Sequence, residues 1–447
     1  MKSDDPLLLA WEETLARKGD KPAIFNTAGE VLRTFRGIEE QARAIEAKTR
    51  PAPTDNRPHN VSEIRIGNDA DWFSLFLDCL RKQRICLPTD ESITAQQADA
   101  AMSVAAKSGI TDWGDRPPTL FKLTSGTTAA PRLVRFRSAQ LLADCNQICD
   151  TMGISDDDVN FGVIPISHSY GFSNLLTPLI ARGVPIVMSR DRTPRAVLVD
   201  LARTNATVFP GMPLFYQAFC EMEIPKFSGL RLCVSAGAPL SASLARRFFQ
   251  KFNQPIHSFY GSSECGGICY DPDGTTFEDG FVGQPMKNID VEIIDPTVAS
   301  SQIRVRSAAV GDGYFPEPDE ERLGNGIFVP DDLLERSGAG FKIVGRVSDV
   351  INVAGKKVNP AEVEAHLLRF PGVRQAVVFG RESALRNEEV AACIVTDVDL
   401  RESDLLEFCR GALSGWQVPK RVFVVDAIPV NERGKTSRRD LARRFTG

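Results

Sequence analysis

Between residues 138 and 260 the chain alternates five times between an amphipathic helical stretch and a short apolar run, and few folds accommodate that rhythm. Helical spacing over 138–152, 172–181, 195–203, 214–221 and 241–252 is followed each time by an apolar run, at 161–165, 185–188, 207–209, 230–235 and 256–260. Strands separated by helices pair in one sheet only through crossovers, so the pattern predicts an α/β fold with mostly parallel sheet layered between helices. Upstream lie a helix over 6–18, a strand over 21–25, a Pro/Asn/Asp-rich loop at 50–60, and helices over 36–47 and 71–84. From 280 to 328 the pattern changes to short strands and Gly/Pro turns, a small β-rich unit. The last hundred residues read as a small α+β domain: helix 360–369, strands 375–379 and 390–396, helix 402–413, strand 421–425 and a basic tail. Two domains are expected, 1–346 and 347–447.

Composition removes several function classes. With 43% hydrophobic and 25% charged residues the chain is of ordinary globular type. A net charge of −5 gives no general attraction to nucleic acid, and the Arg-rich tail (Arg433, Lys435, Arg438, Arg439, Arg443, Arg444) does not reverse that. No apolar run is long enough to span a bilayer, and the acidic start Met1–Asp5 precedes no signal-type core, so a cytoplasmic protein is expected. Ten cysteines without a CxxC pair, beside four histidines, suit reduced structural thiols better than zinc or disulfides.

Chemistry is concentrated in four stretches. Thr124-Ser125-Gly126-Thr127-Thr128-Ala129-Ala130-Pro131-Arg132 follows the apolar run Leu120–Leu123. Small hydroxylated residues in a tight turn offer N–H and O–H donors to polyphosphate oxygens, and Arg132 adds charge; taken alone, it could equally be a polar turn. GxxxxGK[ST] is absent, so this is not the P-loop of the NTPases. Tyr260-Gly261-Ser262-Ser263-Glu264 stands at the end of a strand expected to be parallel, where α/β sheets place ligands. Gly345-Arg346-Val347-Ser348-Asp349 leads into Gly355-Lys356-Lys357-Val358-Asn359-Pro360-Ala361-Glu362-Val363-Glu364. Asn431-Glu432-Arg433-Gly434-Lys435-Thr436-Ser437-Arg438 lies near the C-terminus.

In this order the four resemble the motifs of the adenylate-forming superfamily: acyl-CoA synthetases, adenylation domains and firefly luciferase. The resemblance runs from Pro22 onward. It implies a large AMP-binding domain, a small mobile lid domain, and a two-step reaction. A carboxylate attacks the α-phosphorus of ATP and expels pyrophosphate; a thiol, from coenzyme A or a carrier-protein phosphopantetheine, then displaces AMP. Thr124, Ser125, Gly126, Thr127, Thr128 and Arg132 would hold the phosphates, and Glu264 would hold Mg2+. Tyr260 and Gly261 would face the adenine, Ser263 the α-phosphate, Asp332 and Arg346 the ribose. Lys435 would bridge the attacking carboxylate and the phosphate. His168, Tyr170, Gly171, Phe172 and Gly237 would line the acid pocket, with His168 either packed or orienting the acid. Gly355 would lie on the thiol approach, and Ser348 at the hinge.

Some positions depart from the family pattern: Ala129 replaces a glycine, Arg132 a lysine, Ser348 the hinge aspartate, and Pro330-Asp331-Asp332 stands for TGD. A trimmed N-terminal region is expected from the length. No Asp or Glu occurs from Val159 to Ser189, where amino-acid-activating relatives pair the α-ammonium. With Phe172, Leu175, Phe209 and Met212 nearby, a fatty or aromatic acid is expected. Coenzyme A is the expected acceptor, with a carrier protein or a non-catalytic nucleotide-binding relative as alternatives.

Overall fold

The computed structural model describes residues 4–48, 61–111, 113–114, 117–124, 132–223, 229–383, 387–429 and 436–445. They form two compact units. The first takes residues up to Glu292, with Arg304–Pro330 and Arg336–Lys342; the second takes Ile343 onward, with Ile293–Ile303 and Asp331–Glu335.

The large sheet of the first unit is parallel at its centre. Strands Ile256–Ser262, Leu232–Ser235, Val208–Gly211, Asn160–Gly162, Ile186–Met188 and Pro22–Phe25 lie side by side in that order, all parallel. Its flanks are antiparallel: Val31–Thr34 on Pro22–Phe25, and Gly266–Tyr270 then Phe281–Pro285 beyond Ile256–Ser262. The expected parallel sheet is the centre of a larger mixed sheet. Short connections, 26–30 and 263–265, explain two of these pairings, because strands joined by a few residues return antiparallel. A second, five-stranded sheet contains Val61–Ile64, Ile85–Pro88, Leu120–Leu123, Leu133–Phe136 and Gly313–Phe315.

Helix boundaries follow local chemistry. Helix Pro6–Lys18 begins where Asp5 accepts from the amides of Leu7 and Leu8 (2.9 and 3.1 Å), with Pro6 in the first turn, where its missing N–H costs nothing. Helix Ala242–Phe252 is capped by Ser241. All ten cysteines are unpaired, and burial pushes the thiols of Cys233, Cys265 and Cys269 up.

The second unit builds its sheet around a long hairpin, Val373–Ser383 with Asn387–Thr396. Ile351–Val353 and Lys356–Val358 extend one edge, and Arg421–Val424 runs parallel to Asn387–Thr396. Helices Pro360–Leu367 and Glu402–Arg410 cover a core of Val353, Val358, Val363, Val378, Ile394 and Leu405. The basic tail also carries a helix, Arg438–Arg444, capped by Ser437 and buried through Leu441.

Phe121 ties the second sheet together: it is fully buried, with its ring stacked on Phe315 at 5.3 Å. Phe121→Ala is expected to cost about 3–5 kcal/mol in urea unfolding.

Candidate functional site

The strands on either side of the polar loop pair with each other. Leu120–Leu123 pairs antiparallel with Leu133–Phe136, Leu123 opposite Leu133, and both the amide and hydroxyl of Thr124 donate to the Arg132 carbonyl at 3.0 Å. Ser125, Gly126, Thr127 and Thr128 lie outside the described residues, as does Lys435; Thr124 and Arg132 mark the neck from which the loop departs. The Arg132 guanidinium lies 3.5 Å over the ring of Tyr314, and one of its nitrogens is 3.4 Å from Asp319. The Tyr314 hydroxyl donates to Glu264 Oε1 at 3.2 Å. Sequence patterns missed Tyr314: it sits far along the chain and enters through strand Gly313–Phe315, which pairs with Leu133–Phe136.

Beneath the hairpin is another residue the sequence reading passed over. Lys122 is buried, and its ammonium sits 4.5 Å over the ring of Phe136 and 5.7 Å over that of Phe172. Burial pushes its pKa down, against the nearby charges of Asp144 and Glu264.

Glu264 is at the tip of a second hairpin. Strand Ile256–Ser262 runs past Tyr260 and turns back into Gly266–Tyr270, with Ser262 opposite Gly266. Glycine makes this turn feasible: a Cβ on Gly261 would lie 2.5 Å from the Gly266 carbonyl oxygen, and Gly266 itself has φ +70°. The Glu264 amide donates to Ser262 Oγ at 3.1 Å, and its carbonyl accepts from Gly311 N at 2.9 Å. Tyr260 is buried at 7% exposure, and Ser263 accepts from the Ser169 hydroxyl at 3.0 Å.

That last bond ties the motif to the expected acid pocket. Residues 163–168 are irregular backbone held by the buried amide of Asn68, which donates to the carbonyls of Gly162 (2.9 Å) and Ile164 (3.1 Å) and accepts from Ile166 N (3.1 Å). The helical segment starts at Ser169, three residues earlier than its apolar spacing suggests, and widens over Phe172–Leu176. Pro178 has no N–H for the Asn174 carbonyl, and buried Asn160 supplies one at 3.1 Å. The Asn174 amide in turn holds the Tyr170 carbonyl at 3.0 Å. Gly171 is obligatory, since a Cβ there would lie 2.1 Å from the Pro165 carbonyl oxygen. The Tyr170 hydroxyl reaches the Val234 carbonyl at 3.4 Å, and burial raises its pKa. Phe172 is packed in the core at 2% exposure, its ring edge-on to Phe76 at 5.3 Å. Phe209 likewise sits inside an aromatic cluster with Phe215, Tyr216 and Phe219. Exposed Gly237 follows strand Leu232–Ser235 with φ +81°.

His168 Nε2 lies 3.2 Å from Asp90 Oδ2, which also accepts from the Ser167 hydroxyl at 3.0 Å. The fold therefore brings a carboxylate to a segment that has none of its own between Val159 and Ser189. His168, together with hydrogen bonds from Ser92, holds the Asp90 carboxyl well below the usual carboxylate range.

In the second unit, Arg346 Nε and buried Asp332 Oδ1 are 2.7 Å apart, so the two residues expected at the ribose meet each other. Ser348 is exposed in the turn Val347–Asp349. Gly355 (φ +85°) and Ala354 (φ +51°) form the two-residue turn between Ile351–Val353 and Lys356–Val358, with open space beside the Gly355 Cα.

Among the described residues no three His, Cys, Asp or Glu side chains converge on one point. Glu264 could hold Mg2+ only together with phosphate and water oxygens, and Mg2+ commonly binds in that way. A cavity of about 470 Å3 lined by Asn26, Arg33, Asp69, Asp71, Ser189 and Arg190 contains none of the expected site residues. Its arginines are already paired, Arg33 with Asp71 and Arg190 with Asp69. Among the described residues no helix is long and apolar enough to cross a membrane.

Comparison with known proteins adds a family. The model described as AMP-binding enzyme matches residues 80–315, just over half the chain, and the AMP-binding enzyme C-terminal domain matches residues 362–435. A probable CoA ligase of Humulus lupulus is 28% identical over 349 residues, 73% of this chain and 66% of that protein, so the chain spans about two thirds of its length. The 3,4-dihydroxybenzoate–[aryl-carrier protein] ligase of Bacillus anthracis is 28% identical over 324 residues, 72% of this chain and 73% of that protein. The ATP-bound crystal structure of MatB from Rhodopseudomonas palustris superposes with a TM-score of 0.83 over 98% of both chains at 22% identity, a likeness of fold.

Because its folded pKa is depressed, Asp90 contributes stability that is present at neutral pH and lost as pH falls below about 4. Asp90→Asn is expected to lower stability by about 1 kcal/mol at pH 7. Chemical unfolding should show that gap closing on acidification; a gap that widens toward pH 3 contradicts the pairing.

Proposed function

This chain belongs to the AMP-binding enzyme family, and from that premise we propose that it is an AMP-forming acid–thiol ligase. It activates a carboxylic acid as an acyl-adenylate, with pyrophosphate released, and passes the acyl group to a thiol. The observation that carries this reading is the pair of Arg132, a cation fit for phosphate, and Glu264, a hard carboxylate, joined by Tyr314 at the hairpin neck.

In this reading residues 1–346 form the adenylating domain and 347–447 the lid, with Ser348 as the pivot. The loop 124–128 and Arg132 bind the β- and γ-phosphates. Glu264 carries Mg2+, which supplies charge neutralisation on the phosphates, and Ser263 donates toward the α-phosphate. Tyr260 and Gly261 flank the adenine, and Asp332 accepts from the ribose hydroxyls with Arg346 beside it. Lys435 offsets negative charge that grows between the attacking carboxylate and the α-phosphate. His168, oriented by Asp90, with Tyr170, Gly171 and Gly237 borders the acid; Phe172 backs that wall from the core. Asp90 already accepts from Ser92 and Ser167 and faces His168, so it offers poor pairing for a substrate ammonium. That supports a fatty or aromatic acid over an amino acid. Coenzyme A is the acceptor proposed, reached past Gly355. Similarity to an aryl-carrier protein ligase supports a carrier phosphopantetheine as the second reading.

Acid-dependent exchange of labelled pyrophosphate into ATP, without thiol, tests the first step with pooled fatty, aryl and amino acids. Exchange is expected in the fatty or aryl pool, and silence in all three overturns the reading. Lys435→Ala is expected to lower exchange by about a hundredfold or more while thioesterification of supplied acyl-adenylate changes far less; equal losses contradict its role. Glu264→Gln should raise the Mg2+ concentration needed for half-maximal exchange.

A further inference from the structure

Glu264 and Arg132 belong to different hairpins, yet one side chain touches both. Tyr314 stands opposite Val134 in the pairing of Gly313–Phe315 with Leu133–Phe136, two residues from Arg132. Its ring carries the Arg132 guanidinium at 3.5 Å, and its hydroxyl meets Glu264 Oε1 at 3.2 Å. The same segment grips the Glu264 backbone, because Gly311 N donates to the Glu264 carbonyl at 2.9 Å. Neighbouring Phe315 is locked by its stack on Phe121, so the strand has little freedom to shift.

We infer that Tyr314 is a positioning residue that sets how Glu264 presents its carboxylate to a metal-bound polyphosphate. The inference rests on the nucleotide reading proposed above. By donating to Oε1, the phenol fixes the rotation of the carboxylate and leaves Oε2 without a hydrogen bond among the described residues. By seating Arg132 on its ring, it holds the phosphate-binding cation and the metal-binding anion in one frame. Tyr314 is 3% exposed, and against a carboxylate oxygen its hydroxyl can only donate. A guanidinium over the ring face draws electron density from it, which strengthens the O–H as a donor.

Tyr314→Phe isolates the hydroxyl, since it keeps the ring, its packing and the stack with Arg132. Isothermal titration with ATP, in excess Mg2+ and separately in EDTA, reads the effect without turnover. For the wild-type protein, Mg2+ is expected to tighten ATP binding. In Tyr314→Phe, binding in EDTA should stay within about twofold, while the Mg2+-dependent gain shrinks by about tenfold, the scale of a hydrogen bond to a charged group. In a Glu264→Gln background, Tyr314→Phe should remove nothing further. Tyr314→Leu, which also removes the seat of Arg132, should weaken ATP binding in both conditions. An unchanged Mg2+-dependent gain in Tyr314→Phe overturns the inference alone, and so does an equal weakening with and without Mg2+. A wild-type protein that binds ATP in neither condition overturns the nucleotide reading, and the role of Tyr314 with it.

Discussion

The pairing of Leu123 with Leu133, closed by two bonds from Thr124 to the Arg132 carbonyl, is the constraint on which the site of the first unit depends. It fixes where the polar loop leaves and rejoins the sheet. It also turns Leu133–Phe136 into a template for Gly313–Phe315, and that strand brings Tyr314 under Arg132 and against Glu264. Antiparallel register leaves little choice here, because a slip of one residue would send Tyr314 to the other face. The stem of Lys122 packs the face that Tyr314 shares, and the stack of Phe121 on Phe315 packs the opposite face, so the strands are held from both sides.

A second device recurs around the segment leading to His168: irregular backbone held by buried amide side chains. Asn68 satisfies three backbone groups of the stretch leading to His168, and Asn160 replaces the donor that Pro178 lacks. Buried polar groups in a loop are costly unless bonded, so these amides make the local departure from helix and strand tolerable. Gly171 completes the arrangement by letting the helix start against the Pro165 carbonyl.

The sequence disclosed the parallel centre of the large sheet well, because each strand there is short, apolar and bracketed by a helix of clear period. It disclosed the flanks poorly. Glu264 sits at the tip of a tight glycine hairpin whose geometry depends on Gly261 meeting Gly266, a contact no periodicity encodes. The helix Arg438–Arg444 passed for a charged tail because Leu441, Ala442 and Phe445 mark its inner face among many charges, although Ser437 was a legible cap. Motif spacing pointed to Glu264, Arg132, Asp332 and Arg346, of which the last two turn out to pair. Tyr314, Asp90 and Asn68 had no such signal: each is a single polar residue brought in from a distant part of the chain.

The bond from Asn160 to the Asn174 carbonyl has one more consequence. In an ordinary helix each turn is closed by its own backbone, so a turn can fray without disturbing the sheet. Here the Asn174 carbonyl in the turn before Pro178 is met by a side chain of strand Asn160–Gly162, which pairs with Ile186–Met188 and Val208–Gly211. Opening that turn strips a strand residue of its partner, and loosening the strand uncaps the turn. Helix and strand therefore form one cooperative unit, whose amides should exchange with solvent deuterium together.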